Sequence, residues 1–223
     1  MNSLLKGGIL AWRTETSCSV VKNKDLLHMV QMMETEVPRS KLFHLQFTKK
    51  KQEERYQAVI SAFDEAGRCL DYSSKRSKDK KLWLSKSQSQ KLKQQIEKDY
   101  LHATGFTSMA DAKIYIREVG LVYGGNTLQR VHNDDHTDDF PDGWEQRHSI
   151  AAESGTILYG LKDDKDNRCT IHFAEDNEVG RLKKVRVYGG MAVFYAGWVY
   201  HAGADHGGRN GSTRMYVDIN EMP

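Results

Sequence analysis

Residues 190–219 read GMAVFYAGWVYHAGADHGGRNGSTRMYVDI. Two short runs rich in β-branched and aromatic residues, Met191–Tyr195 and Thr213–Ile219, flank a glycine-rich centre. Runs of this length, punctuated by glycine, read as strands joined by turns. The pattern continues upstream. Lys113–Val119 (KIYIREV), Gly155–Leu161 (GTILYGL), Thr170–Ala174 and Lys184–Tyr188 have the same character. Turn clusters at residues 162–167 and 207–211 separate them. Short strands without intervening helices predict an antiparallel sandwich or barrel and exclude a parallel α/β sheet.

The first half differs. In Lys51–Leu70 the apolar residues Tyr56, Val59, Ile60, Phe63, Ala66 and Leu70 recur at three- and four-residue steps. That spacing predicts one stripe of an amphipathic helix. Ser87–Ala103 repeats it through Leu92, Ile96, Tyr100 and Leu101, and a shorter helix is expected over Lys24–Met33, ending before Pro38. The chain is therefore read as mainly β with N-terminal helices. A helical region spans 1–105 and packs on one sheet of a β core at 106–223.

Composition supports a folded, water-facing protein. The 223 residues are 39% apolar and 28% charged, and four Trp, ten Tyr and seven Phe need a core. No apolar run approaches the roughly 20 residues of a spanning helix, so no membrane role is expected. Cys18, Cys69 and Cys169 are scattered and form no C-x-x-C, which fits a reducing compartment. Gly7-Gly8 and Arg13 interrupt the apolar N-terminus, so no signal peptide is read and a cytoplasmic protein is expected. Charge is uneven: residues 1–100 carry 20 Lys+Arg against 12 Asp+Glu, whereas the remainder carries 13 against 18. The lysines at 49–51 and 75–81 lack interleaved aromatic residues, so a solvated surface is favoured over a nucleic-acid patch.

The densest set of metal-capable side chains is Val131-His132-Asn133-Asp134-Asp135-His136-Thr137-Asp138. On an extended strand, residues two apart share a side, so His132 and Asp134 present an imidazole and a carboxylate together. His201 follows the run 191–200 and supplies a second imidazole. Two histidines and one carboxylate form a facial triad with open positions, the arrangement of non-haem Fe(II) oxygenases. Arg214 opens the next alternating strand and is suited to a bidentate carboxylate.

These residues resemble the Fe(II)/2-oxoglutarate-dependent dioxygenases, in particular the prolyl 4-hydroxylase-like branch. The likeness covers Leu128–Asp134, Gly190–Tyr195, Tyr200–Gly203 and Asn210–Val217, within about residues 110–220. It implies a double-stranded β-helix (a jelly roll, cupin-like). His132, Asp134 and His201 would hold Fe(II), and Arg214 would bind the distal carboxylate of 2-oxoglutarate. Tyr123 would hydrogen-bond the same co-substrate. O2 would be consumed, 2-oxoglutarate would yield succinate and CO2, and a substrate C–H bond would be hydroxylated. Ascorbate is an accessory reductant compatible with such chemistry. The carboxylate ligand favours hydroxylation over halogenation.

Alternatives remain within the motif. His136 and Asp138 form a second H-x-D, but Pro141 and Gly143 place it at a turn. His206 and Arg209 compete with His201 and Arg214 but sit among glycines. Trp144 and Trp198 are candidates for a substrate groove. A protein or peptide side chain is the first substrate expected, with a small molecule or nucleic acid as alternatives, and no oligomeric state is specified. The competing functions are a catalytically inactive jelly-roll binding module and, behind it, a metal hydrolase.

Overall fold

Strand β5 (Gly155–Gly160) lies in the middle of a seven-stranded antiparallel sheet. The other members are β1 (Ser3–Leu5), β2 (Ile9–Arg13), β3 (Tyr56–Ala62), β4 (Ile114–Gly124), β8 (Met191–Ala196) and β10 (Ser212–Glu221). Their order is β1-β2-β8-β5-β10-β4-β3. A second sheet holds β6 (Thr170–Glu175), β7 (Glu178–Arg186) and β9 (His201–Ala204) in the order β7-β6-β9. The computed structural model describes residues 3–5, 8–40, 56–70, 83–124, 131–135, 153–162, 169–175, 178–204 and 212–223. The architecture is mainly β, a jelly roll whose described residues include the helices α1 (Glu15–Val21), α2 (Lys24–Ser40) and α3 (Lys86–Thr104).

The helices cover one face of the large sheet. Helix α3 starts at a reciprocal capping box between Ser85 and Gln88 and ends at Gly105, whose φ of 82° is the left-handed conformation glycine adopts without strain. Its buried stripe includes Leu92, Ile96 and Tyr100, and the Tyr100 ring meets Phe194 of β8 edge-on, with centroids 6.1 Å apart. Asp99 on the same helix is fully buried. Its Oδ2 accepts from Trp12 Nε1 (2.9 Å) and the Tyr159 hydroxyl (2.8 Å), and its Oδ1 accepts from Thr14 and Thr16 (3.0 and 2.6 Å). One carboxylate thus joins α3 to β2, β5 and the start of α1. Burial with the phenol pressed against this carboxylate drives the Tyr159 pKa well above its ordinary value. Asp99→Ala leaves an indole N–H and a phenol without acceptors in the core. A loss of about 3 kcal/mol is expected, measured by urea unfolding.

The predicted strands at 113–119, 155–161, 170–174, 184–188, 191–195 and 213–219 all fall within or overlap strands of the structure. The predicted helix over Lys51–Leu70 does not form: Tyr56–Ala62 is β3. There Ala58 and Ile60 are buried, and Ser61 donates to Ser89 of α3 at 3.0 Å. A neighbouring edge, β4, outweighs the helical spacing of the apolar residues. Strands β1 and β2 were not anticipated, so the region 1–105 contributes strands as well as helices to the fold. Helix α2 runs through Pro38 to Ser40 instead of ending before it. Among the described residues, no helix is long and apolar enough to cross a membrane.

Candidate metal centre and co-substrate pocket

His132 and His201 face each other across an antiparallel bridge. Each backbone N–H donates to the other's carbonyl, at 2.9 and 2.8 Å, so both side chains leave on the same side. Their rings lie 4.5 Å apart between centroids. Two residues beyond His132, the Asp134 N–H donates to the Gly197 carbonyl at 2.8 Å, and the Asp135 N–H donates to the same oxygen at 3.1 Å. This clamp returns the Asp134 carboxylate to the side of the imidazoles. Asp134 Oδ1 lies 3.9 Å from His132 Nε2 and 3.8 Å from His201 Nε2. Thr156 Oγ approaches the other oxygen at 3.4 Å.

One ligand atom from each of the three residues lies within 4.8 Å of the others, and among the described residues no other trio of His, Cys, Asp or Glu converges this way. Ligands about 2.1 Å from an ion and at right angles lie about 3 Å apart. The trio fits a divalent ion after small side-chain rotations. His201 is buried, and its Nδ1 lies 2.9 Å from the Val199 carbonyl. That oxygen only accepts, so Nδ1 carries the proton and Nε2 keeps its lone pair. Burial pushes the His201 pKa down to about 4, with Asp134 pulling it up and the charge of Arg214 adding to the fall. The imidazole is therefore a neutral donor at physiological pH.

A cavity of about 480 Å³ adjoins the trio, within the range of small-molecule sites (~300–1,000 Å³). Arg214 lines it. The residue is only 6% exposed, and its Nε and Nη1 have no hydrogen-bond partner among the described residues. A buried guanidinium with orphaned donors is costly unless an anion completes it. The donor set thus fits a metal and a carboxylate side by side.

Tyr123 lies elsewhere. On β4 it is the cross-strand partner of Thr213, whereas Val122 is the partner of Arg214 and borders the cavity. Thr213 donates to Glu34 of α2 at 2.9 Å, so Tyr123 belongs to the helix-facing side. Burial, followed by the charge of Glu34, raises its phenol pKa there. The residues that do face the cavity with Arg214 are Tyr216 and Asp218, at the alternate positions of β10, with Glu118 of β4 and Gln57 of β3. Strand periodicity alone brings Tyr216 and Asp218 to the side of Arg214; Gln57 lay hidden in the segment read as helix. Trp198 is buried away from the cavity lining, its Nε1 donating to Glu153 at 2.7 Å. The second triplet His136/Asp138, and also His206, Arg209 and Trp144, lie outside the described residues.

No protein-family model matches the chain, and no curated protein matches it. Solved structures do. AviO1 from Streptomyces viridochromogenes Tue57 aligns over 98% of this chain and 91% of its own, at 12% identity and a TM-score of 0.53. A 2OG-Fe(II) oxygenase family oxidoreductase from Burkholderia pseudomallei aligns over 96% and 85%, at 10% identity and a TM-score of 0.53. The fold is that of the 2OG-Fe(II) oxygenases. The non-haem alpha-ketoglutarate-dependent epimerase SnoN from nogalamycin biosynthesis shares it, over 97% of this chain and 78% of its own, at 10% identity and a TM-score of 0.55. Proteins of this architecture thus include an epimerase, and the fold does not dictate the reaction.

Proposed function

We propose that this protein is an Fe(II)- and 2-oxoglutarate-dependent dioxygenase that hydroxylates a C–H bond of its substrate, with a protein or peptide side chain as the first candidate. The observation that carries the reading is Arg214, buried with N–H donors that find no partner among the described residues, in the cavity that His132, Asp134 and His201 border. The three side chains would hold the metal on one side and leave the cavity side open. Arg214 would take the distal carboxylate of 2-oxoglutarate in a charge-assisted pair, which orients the co-substrate toward the trio. Leu158, Ile171 and Tyr195 supply apolar walls that keep water from the reacting region. When bound, the iron and co-substrate supply O2 activation coupled to oxidative decarboxylation, giving succinate and CO2. Tyr123 has no part in this assignment. None of the three cysteines is in a disulfide, in keeping with a cytoplasmic setting.

Anaerobic titration with Fe(II) and then 2-oxoglutarate tests the reading. A weak visible charge-transfer band is expected only when both are present. Retention of neither component would leave a jelly-roll binding module as the better description.

A further inference from the structure

We propose that the outer wall of the cavity selects a cationic group on the substrate, a protonated amine or a guanidinium. The inference rests on the dioxygenase reading and adds the chemistry of the substrate to it. The residues Arg214, Tyr216 and Asp218 follow one another at every second position of β10 and line the same cavity. Four residues of strand span about 13 Å. The cavity therefore has a cationic end at Arg214 and a second end at Asp218.

That second end is acidic. Glu118 is the cross-strand partner of Asp218, so two carboxylates sit directly opposite each other. Like charges in that position repel. Asp135 also lines the cavity, and the only basic side chain on this side among the described lining residues is Arg117. Arg117 reaches Asp218 at 3.0 Å, yet its side chain is 55% exposed, so it offsets this charge only weakly. The reaction end does not discharge the wall. There a bound dication and a dianionic co-substrate would balance against the Asp134 carboxylate and Arg214. Burial pushes the Asp218 carboxyl up to about 6 against the pull of Arg117, with Glu118 and Asp134 adding to the rise.

An aromatic surface completes the wall. The Tyr216 ring crosses Gly120, where an added Cβ would lie 2.3 Å from its atoms. The ring is pinned at its hydroxyl, which donates to Glu118 at 2.6 Å and accepts from Gln57 Nε2 at 2.7 Å. Paired carboxylates beside a fixed aromatic ring bind ammonium and guanidinium groups by charge and by cation–π attraction. A polyanionic nucleic acid would meet repulsion at the same wall.

The test uses 15N-labelled protein loaded with Zn(II) and 2-oxoglutarate. It is titrated with n-butylammonium, and with 1-butanol and butyrate as controls of similar shape. n-Butylammonium is expected to shift the amides of Gly120, Thr156 and Asp218 at least fivefold more than either control. Glu118→Gln and Asp218→Asn, made singly and together, should each reduce that preference while zinc and 2-oxoglutarate still bind. Equal shifts from 1-butanol, an unchanged preference in all variants, or stronger shifts from a thymidine oligonucleotide would overturn the proposal. Zinc and 2-oxoglutarate binding are read first, before any amine is added. Their absence overturns the dioxygenase reading, whereas their presence without an amine preference overturns this inference alone.

Discussion

His201→Ala is expected to weaken divalent-metal binding on the order of a hundredfold or more. The residue is one of the three converging side chains proposed to hold the metal, and no other imidazole among the described residues joins the trio. Loss of an outer hydrogen-bond partner alone costs a metal site about 10- to 100-fold, so loss of a direct donor costs at least that much. The effect is magnified by burial, because His201 is 4% exposed and packs against Tyr195 at 4.5 Å between ring centroids. Calorimetric titration with Zn(II) or Fe(II) measures it, with circular dichroism to confirm that the variant folds. His132→Ala and Asp134→Ala should behave alike, and Asp138→Ala should retain binding. Retention in Asp134→Ala with loss in Asp138→Ala would transfer the ligand role to the second triplet.

Arg214→Met should raise the Kd for 2-oxoglutarate by about 30- to several thousand-fold, the equivalent of roughly 2–5 kcal/mol for one member of a buried charge pair. Metal affinity should be unchanged. Stability offers a second readout with the opposite sign. In the ligand-free protein, Arg214 buries two N–H donors without partners among the described residues, so an apolar side chain of similar length should leave unfolding unchanged or raise its midpoint. Added 2-oxoglutarate should then stabilise the parent protein and not the variant. Arg214→Lys would not rescue binding fully, because an ammonium cannot reproduce the planar two-point contact. A variant that binds 2-oxoglutarate as the parent does would remove Arg214 from the site.

The β half of the fold was readable because its strands alternate or form short apolar runs between glycine-rich turns, as in 155–160 and 191–196. The trio was readable for a related reason: H-x-D on extended backbone needs only the two-residue period to converge. Strand β3 was not. Its apolar residues happen to fall at helical steps, and only the adjoining edge of β4 decides the matter. Tyr123 failed through parity. Chain proximity to the ligands placed it near the pocket, but one position along β4 separates the cavity side from the helix side, and Tyr123 falls on the latter. Asp99 gave no signal either, since its four donors come from residues up to 87 positions away. Such a partnership is invisible to any local pattern.

Backbone hydrogen bonds tie the two histidine segments to each other. Most of the ordering that a metal would otherwise have to impose is met during folding. Two imidazoles and one carboxylate do not by themselves reject a wrong divalent ion of similar size. Affinity would then follow the general rise from Mn²⁺ and Fe²⁺ toward Ni²⁺ and Cu²⁺. The ion found in a purified sample would record what the protein had encountered, including nickel leached from an affinity resin. Any working choice of iron would be made by the supply around the protein.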